Sequence, residues 1–216
     1  MQNELFSAPD KQDTKYFLSD HACLLPGFVC DNETEIRDQL EEILLLSPLR
    51  HMKTPGGQIM SAALSNCGSL GWISDAKGYR YSPHDPEIGL AWPAMPKLFL
   101  ELAQQAAKEA GFDGFQPDAC LINCYIPGSK MSLHQDKDEQ DLTAPIVSVS
   151  LGLPAEFLWG GFARTSAKQT LRLQHGDVLV WGGCERLRFH GIKTLQPGWH
   201  PITGDCRINL TFRQAG

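Results

Sequence analysis

Hydrophobic and polar residues alternate strictly between residues 207 and 213, and a period of two predicts a β-strand. One face of this strand is apolar, while the other carries two arginines, an asparagine and a threonine. The apolar face consists of Ile208, Leu210 and Phe212, and the polar face consists of Arg207, Asn209, Thr211 and Arg213. A half-buried surface strand would show this pattern. Alternatively, the forked donors of the two arginines suit the binding of a small dicarboxylic acid.

Further short strands are predicted earlier in the chain, separated by turn signals such as Gly160-Gly161 and Pro197-Gly198. They span residues 22–29, 119–126, 131–135, 145–152, 155–159, 169–173 and 177–182. Two helices precede most of them. The first can be capped by Asp31 or Asn32 and has an apolar stripe of Ile36, Leu40, Ile43 and Leu44, and the second ends at Gly111. This order predicts an α+β, mainly β fold, a jelly roll backed by helices.

Composition adds the domain organisation. With 216 residues, of which 42% are hydrophobic and 20% charged, the chain is typical of one soluble globular domain. We expect residues 1–17 to be a mobile segment and residues 18–216 to be a single domain. A lid is predicted at about residues 49–93, which are rich in Gly, Pro and Ser, and a catalytic jelly roll at about residues 117–216.

The location follows from the cysteines and from hydropathy. No apolar run approaches the length of a membrane span. The seven cysteines, an odd number without CxxC spacing, are typical of free thiols in a reducing compartment. We therefore expect a cytoplasmic protein, and no pattern predicts an assembly beyond a monomer.

The net charge of −6 is unlike that of a typical nucleic-acid-binding protein. Its distribution is uneven, because Arg50, Lys53, Lys77 and Arg80 have only one acidic residue among them, Asp75. A local basic patch of this kind suits contact with a few phosphates rather than with a long duplex. An ordinary solvated surface is the alternative interpretation.

Candidate chemistry lies in the segment from Ser132 to Glu139. His134 and Asp136 are two residues apart, so a strand would aim both side chains at one point. Two histidines and one carboxylate on one side of an Fe(II) ion form the facial arrangement of non-haem iron oxygenases. His190 is the candidate third ligand, because a strand next to the apolar run 178–181 could bring it to the metal. The alternative makes His134 a hydrogen-bonded loop histidine and Asp136 a turn residue.

These positions, taken together, resemble a known family. Asn123-x-Tyr125, His134-x-Asp136, His190 and Arg207-x5-Arg213 occur in the order found in the AlkB family of alkylation-repair dioxygenases. The similarity extends over about residues 18–216 and includes the stretches 117–123, 144–152 and 209–216. It implies a double-stranded β-helix fold and a dioxygenase that uses Fe(II), 2-oxoglutarate and O2.

The resemblance also implies residue roles. The catalytic iron ligands would be His134, Asp136 and His190. The residues that bind 2-oxoglutarate would be Arg207, Asn123 and Tyr125 at the distal carboxylate, and Asn209 and Arg213 at the metal-side end. The substrate residues would be Trp72, which stacks on the target base, Tyr79 at the phosphate backbone, Arg164 near the base or backbone, and Asp138. A strand that continued past Asp136 would place Asp138 on the ligand face.

The implied reaction is oxidative demethylation of N1-methyladenine and N3-methylcytosine in DNA, and also in RNA, with release of formaldehyde, succinate and CO2. Because these lesions block normal pairing, the partner would be single-stranded or locally opened nucleic acid. Two alternatives stay open from the residues themselves. One is a 2-oxoglutarate oxygenase that acts on a protein or a small molecule, and the other is a non-catalytic nucleic-acid-binding module.

Overall fold

The computed structural model of the chain describes residues 15–216, which form two α-helices and 13 β-strands. The helices are α1 (Glu33–Leu46) and α2 (Lys97–Glu109). The strands are β1 (Tyr16–Ser19), β2 (Ala22–Leu25), β3 (Ala63–Gly68), β4 (Gly71–Asp75), β5 (Gly78–Ser82), β6 (Ala119–Tyr125), β7 (Met131–His134), β8 (Ile146–Gly152), β9 (Ala155–Trp159), β10 (Gln169–Leu173), β11 (Val178–Trp181), β12 (His190–Ile192) and β13 (Arg207–Arg213).

Two antiparallel sheets form the body of the fold. The larger has the order β1-β2-β11-β8-β13-β6-β3, and the smaller has the order β10-β9-β12-β7. Strands β4 and β5 form a separate hairpin. The two sheets share one apolar cluster, in which Tyr125 and Trp181 of the large sheet pack with Phe157 and Ile192 of the small sheet. This arrangement confirms the predicted fold, a mainly β jelly roll in which two α-helices precede most of the strands in the sequence.

The helices cover the other face of the large sheet. Ile36 and Leu40 of α1 belong to a second buried cluster with Phe99 of α2 and with the apolar positions of β13. The Phe99 and Phe212 rings meet edge to face, with 6.1 Å between their centroids. Strand β13 is therefore buried on both faces, and the interpretation of residues 207–213 as a half-buried surface strand is wrong. Truncating a buried phenylalanine such as Phe212 to alanine typically costs about 3–5 kcal/mol.

Several local predictions differ from the structure. Tyr16 and Phe17, which the sequence assigned to a mobile segment, pair with β2 in β1; residues 1–14 of that segment lie outside the described residues. Asn32 occupies the N-cap position of α1, but its side chain makes no capping hydrogen bond. The strand that carries His190, β12, was expected next to residues 178–181, but it pairs with β7 and β9 in the small sheet, whereas β11 belongs to the large sheet. Within residues 15–216, no helix is long and apolar enough to span a membrane.

The segment predicted as a lid, residues 49–93, has two structural parts. Strand β3 pairs with β6 as the edge of the large sheet, and most of its residues are buried. The β4–β5 hairpin that follows does not join that sheet as a strand, although Ile73 packs with Leu64 of β3 and Leu121 of β6. The predicted lid therefore included β3, which is a strand of the large sheet. The Gly- and Ser-rich composition of residues 61–71 gives no sign that this strand is buried and paired.

Candidate metal and co-substrate site

Three potential metal ligands converge between β7 and β12. Pairing of these strands places His190 opposite His134, with 4.4 Å between the ring centroids. Oδ1 of Asp136 lies 3.4 Å from Nε2 of His134 and 3.7 Å from Nε2 of His190. One ligand atom from each of the three residues lies within 4.8 Å of the others. The prediction that these three residues come together is confirmed. The expected reason was wrong for Asp136: β7 ends at His134, so strand alternation does not position the Asp136 side chain.

The two imidazoles are oriented by their own backbone. Nδ1 of His134 lies 2.9 Å from the carbonyl oxygen of Ser132, and Nδ1 of His190 lies 3.0 Å from that of Arg188. A carbonyl oxygen can only accept, so each neutral ring carries its proton on Nδ1 and presents the Nε2 lone pair to the centre. Burial, followed by the nearby His134, lowers the pKa of His190 to about 4, so this ring is neutral at neutral pH. A metal ligand requires that state.

The carboxylate of Asp136 is held by Arg213. Nε and Nη2 of Arg213 donate to Oδ2 of Asp136 at 3.0 and 2.6 Å, which leaves Oδ1 to the two histidines. Burial alone would raise the pKa of Asp136, but Arg213 and the histidines hold it well below its usual range. Burial lowers the pKa of His134, but the hydrogen bond and charge of Asp136 outweigh it and raise that pKa, so a metal ion would compete with a proton for this ring. An ionised carboxylate and two imidazoles that present Nε2 form the ligand set of the two-histidine, one-carboxylate iron centre. These side chains therefore fit an Fe(II) ion.

The guanidinium of Arg207 lies in the same cavity and is only 1% exposed. Its Nη2 donates to Ser150 Oγ at 3.0 Å, and its Cζ lies 5.3 Å from the centre of the Tyr125 ring. Nε and Nη1 have no hydrogen-bond partner within the described part of the chain. A buried cation with unsatisfied donors is costly unless a ligand anion pairs with it. The cavity therefore fits a carboxylate-bearing co-substrate such as 2-oxoglutarate.

Strand pairing explains how the remaining predicted residues reach this cavity. In the register of β6 and β13, Tyr125 lies opposite Arg207 and Asn123 lies opposite Asn209. All eight residues predicted to hold iron or co-substrate line the cavity. The amide of Asn209, however, is engaged within the sheet: Nδ2 donates to Ser148 Oγ and to the Val149 carbonyl, both at 2.9 Å. This geometry suits a residue that orders the cavity wall rather than one with free donors for a ligand.

Several residues in or behind the cavity wall were not identified from the sequence. Ser150 accepts the bond from Arg207, and Ser148 accepts the bond from Asn209. The alternation of serine with apolar residues along 146–151 is the signal that could have revealed them. Phe157 and Trp181 pack on the ring of His190, with centroid distances of 5.8 and 5.0 Å. No signal distinguishes these two aromatic residues from ordinary core residues.

The predicted substrate residues lie around the β4–β5 hairpin and β7. The rings of Trp72 and Tyr79 stack at 5.5 Å with an angle of 13° between them. Trp72 Nε1 donates to Asp138 Oδ2 at 2.9 Å, so Asp138 is tied to the hairpin. The prediction that a continuing strand aligns Asp138 is wrong, because β7 ends at His134 and Asp138 is exposed. Nη1 of Arg164 donates to the carbonyl of Leu133 at 2.5 Å, directly before His134.

A buried charge network joins the hairpin to the metal ligands. Oε1 of Glu139 accepts a hydrogen bond from the Tyr81 hydroxyl of β5 at 2.7 Å and lies 3.2 Å from Nε of Arg213. Oε2 of Glu139 lies 2.9 Å from Nη2 of Arg186, whose Nη1 donates to the Asp136 carbonyl at 2.6 Å. The side chain of Glu139 is 2% exposed and ties both arginines that hold Asp136.

We expect Glu139→Gln to destabilise the protein by about 3 kcal/mol, because removing one charge from a buried network leaves its partners uncompensated. Urea unfolding of the wild type and the variant measures this difference. The control is Glu156→Gln, which breaks the exposed pair of Glu156 and Lys193 and should cost less than about 1 kcal/mol. Similar small losses in both variants would show that Glu139 does not hold the network together.

Comparison with known proteins agrees with this geometry. Residues 21–213 match the 2OG-Fe(II) oxygenase superfamily. The chain is 56% identical over 195 residues to the alpha-ketoglutarate-dependent dioxygenase AlkB of Escherichia coli, and the match covers 90% of each chain. It is 31% identical over 158 residues to the tRNA demethylase abh1 of Schizosaccharomyces pombe, covering 67% of this chain and 52% of that protein. The solved structure of OsALKBH1 matches with a TM-score of 0.82 at 28% identity, covering 93% of this chain and 100% of that one.

Proposed function

Because the chain belongs to the AlkB family of 2OG-Fe(II) oxygenases, we propose that this dioxygenase removes methyl groups from N-alkylated bases in nucleic acids. Its cofactors are Fe(II), 2-oxoglutarate and O2. The observation that supports this chemistry is that Arg207, two of whose guanidinium nitrogens have no partner among residues 15–216, lines the same buried cavity as His134, Asp136 and His190. An anion site beside three metal ligands is what a 2-oxoglutarate oxygenase requires.

In this proposal the protein's part is to bind and orient. His134 and His190 would hold iron through Nε2, and Asp136 would hold it through Oδ1. When bound, iron and 2-oxoglutarate convert O2 into an oxidant that hydroxylates the N-methyl group, which then leaves as formaldehyde, while the co-substrate becomes succinate and CO2. The rings of Phe157 and Trp181 form an apolar wall that holds His190 in place and limits the access of water.

The co-substrate would lie along the polar faces of β6 and β13. Arg207 and Tyr125 sit where they can bind the distal carboxylate, while Asn123 offers an amide next to them. Nη1 of Arg213 has no partner among residues 15–216, although its other nitrogens hold Asp136. This leaves Arg213 one donor for the metal-side carboxylate. Asn209 would act by fixing the wall between these two ends.

The substrate residues favour a cationic base. N1-methyladenine and N3-methylcytosine carry a positive charge, which stacking on Trp72 would stabilise through a cation–π interaction. Asp138, held by Trp72 Nε1, would add an opposite charge and an acceptor for an exocyclic amine. Tyr79, which is 46% exposed, and the exposed Arg164 would contact the sugar–phosphate backbone.

The proposed reaction also has consequences for the form of the nucleic acid, and the described residues bear on oligomeric state and cellular location. The target base must leave the helix to reach a buried centre, so single-stranded or locally opened DNA is the favoured substrate. Similarity to a tRNA demethylase supports activity on RNA as well. Each chain carries a complete set of ligands, which is consistent with a monomeric enzyme. All seven cysteines are free thiols, which supports a cytoplasmic location.

The decisive experiment measures formaldehyde and succinate from the iron-loaded protein with 2-oxoglutarate and a methylated oligonucleotide. We expect stoichiometric release of both products, and release of neither above background from the unmethylated oligonucleotide. Succinate release that ignores methylation would favour an oxygenase acting on a protein or a small molecule. Binding of the oligonucleotide without either product would favour a non-catalytic nucleic-acid-binding module.

We expect Asp138→Asn to lower turnover of N1-methyladenine about tenfold more than turnover of the neutral lesion N1-methylguanine, because it removes a charged acceptor from a cationic base. An asparagine oxygen can still accept the hydrogen bond from Trp72, so the hairpin contact is kept. Rates on matched oligonucleotides carrying each lesion test this expectation. Equal losses on both lesions would mean that Asp138 acts only by holding Trp72.

A further inference from the structure

An exposed aromatic ring lies on a loop that is bonded to the residue preceding His190. Phe162, in the loop between β9 and β10, is 56% exposed. Its loop is anchored: the Gly160 N–H donates to the Phe189 carbonyl at 2.8 Å, and the Phe189 N–H donates to the Gly161 carbonyl at 2.9 Å. These bonds extend the pairing of β9 with β12, the strand that begins with His190. The ring is therefore presented to solvent by a fixed backbone next to a metal ligand.

A cation supports this ring from one side. The guanidinium of Arg188 lies 4.9 Å from the centre of the Phe162 ring and 5.4 Å from that of the Trp159 ring. Its Nη1 donates to the Gly160 carbonyl at 2.9 Å, and its Nε pairs with Glu185. Arg188 is thus held between two aromatic rings, and it fixes the Phe162 ring while leaving more than half of that residue exposed.

Two further cations lie in the same loop as the exposed ring. Arg164, two residues further along the loop, lies over the Phe189 ring at 5.1 Å and reaches the carbonyl of Leu133 beside the metal strand. Lys168 is exposed at the end of the same loop. A flat apolar ring among cations matches the two components of a single strand, because the bases have π-faces and the backbone is anionic. A purely apolar partner surface would leave these cations without a counter-charge.

We propose that Phe162 is a stacking platform for the base that neighbours the target nucleotide, with Arg188 positioning its ring. This inference rests on the proposed function and adds the site at which the rest of the strand is held. A strand whose target base enters the cavity must pass close to the residues that line it. The loop of Phe162 lies beside two of them, because it bonds to Phe189, which precedes His190, and to the carbonyl of Leu133, which precedes His134. Stacking on a ring tolerates every base, so the platform would strengthen binding without selecting a sequence.

The test combines a protein variant with a modified strand. Fluorescence anisotropy measures the Kd for short single strands that carry a central N1-methyladenine and an abasic site at each flanking position in turn. At one flanking position, the abasic site should weaken wild-type binding about tenfold. Phe162→Ala should weaken binding of the intact strand by a similar factor and show no further loss with that abasic site. Phe162→Trp should restore both the affinity and the sensitivity to the abasic site.

The control variant is Trp199→Ala, which removes a 73% exposed aromatic residue that does not line the cavity and should leave every Kd unchanged. The platform is refuted if Phe162→Ala binds the intact strand as well as the wild type does. It is also refuted if the abasic site weakens binding to Phe162→Ala by the same factor as it weakens binding to the wild type. Because the readout is binding, a wild type that binds these strands but releases no formaldehyde would refute the proposed reaction and leave the platform to be judged by Kd alone.

Discussion

His190→Ala is expected to bind Fe(II) at least about 100-fold more weakly than the wild type and to lose turnover to the same extent, because even the outer partners of metal ligands contribute 10–100-fold. His190 supplies one of three protein ligands, and its Nε2 lone pair is fixed by the bond from Nδ1 to the Arg188 carbonyl. The measurement is a titration of the metal-free protein with Fe(II) under anaerobic conditions, followed by the formaldehyde assay at saturating iron.

Two further variants test whether the loss of iron affinity is specific to the metal ligands. His134→Ala removes a ligand from a partly exposed position, so it tests the metal site with less disturbance of the core around Trp181 and Phe157. His200→Ala removes a histidine that stacks on His175 at 4.2 Å and does not line the cavity, so it should keep wild-type iron affinity. A folded His190→Ala protein with normal iron affinity and turnover would remove His190 from the ligand set.

The parts of the site that the sequence predicted are those held by strand periodicity. The alternation along β13 correctly placed Arg207 and Arg213 on the face opposite Leu210, because the pleat of a strand is a local property. Asn123 and Tyr125, which are two residues apart on β6, likewise share the face that lines the cavity. Periodicity could not say that this polar face would be buried, since its burial depends on the second sheet packing against it.

Sequence reasoning did not predict side-chain positions where a strand ended early, or where burial depended on residues far away in the sequence. Asp138 was placed by extending β7, but the strand stops at His134, and the side chain is instead held by Trp72 from the hairpin. Glu139 has the sequence neighbourhood of a solvated acid. Its burial is possible only because Arg186 and Arg213, which are far away in the sequence, meet it in the interior. No local pattern carries that information.

Arg207 illustrates how an unfavourable interaction in the free protein can serve binding. Its guanidinium is buried, and burial lowers the pKa of Arg207 although Tyr125 opposes that shift. Two of its nitrogens lack partners within residues 15–216. A carboxylate of 2-oxoglutarate would satisfy those donors, so the stability lost in the free protein would return as affinity for the co-substrate.

We therefore expect Arg207→Met to weaken 2-oxoglutarate binding by about 3 kcal/mol, roughly 150-fold, while leaving the ligand-free protein as stable as the wild type or more stable. Methionine fills much of the same volume and removes an unpaired buried charge. Arg207→Lys should give a smaller loss, because lysine keeps the charge but not the fork that matches a carboxylate. The matched control is Arg172→Met, which changes an exposed arginine of β10 and should not alter binding.

Thermal unfolding with and without the co-substrate separates the two effects. A ligand present at about 100 times its Kd adds about 2.7 kcal/mol of stability, so saturating 2-oxoglutarate should raise the Tm of the wild type and of Arg172→Met. The same concentration should leave the Tm of Arg207→Met nearly unchanged. A full shift in Arg207→Met would place the distal carboxylate elsewhere. A ligand-free Arg207→Met protein less stable than the wild type by several kcal/mol would show that Ser150 and Tyr125 already compensate the buried charge, so that it does not depend on the co-substrate.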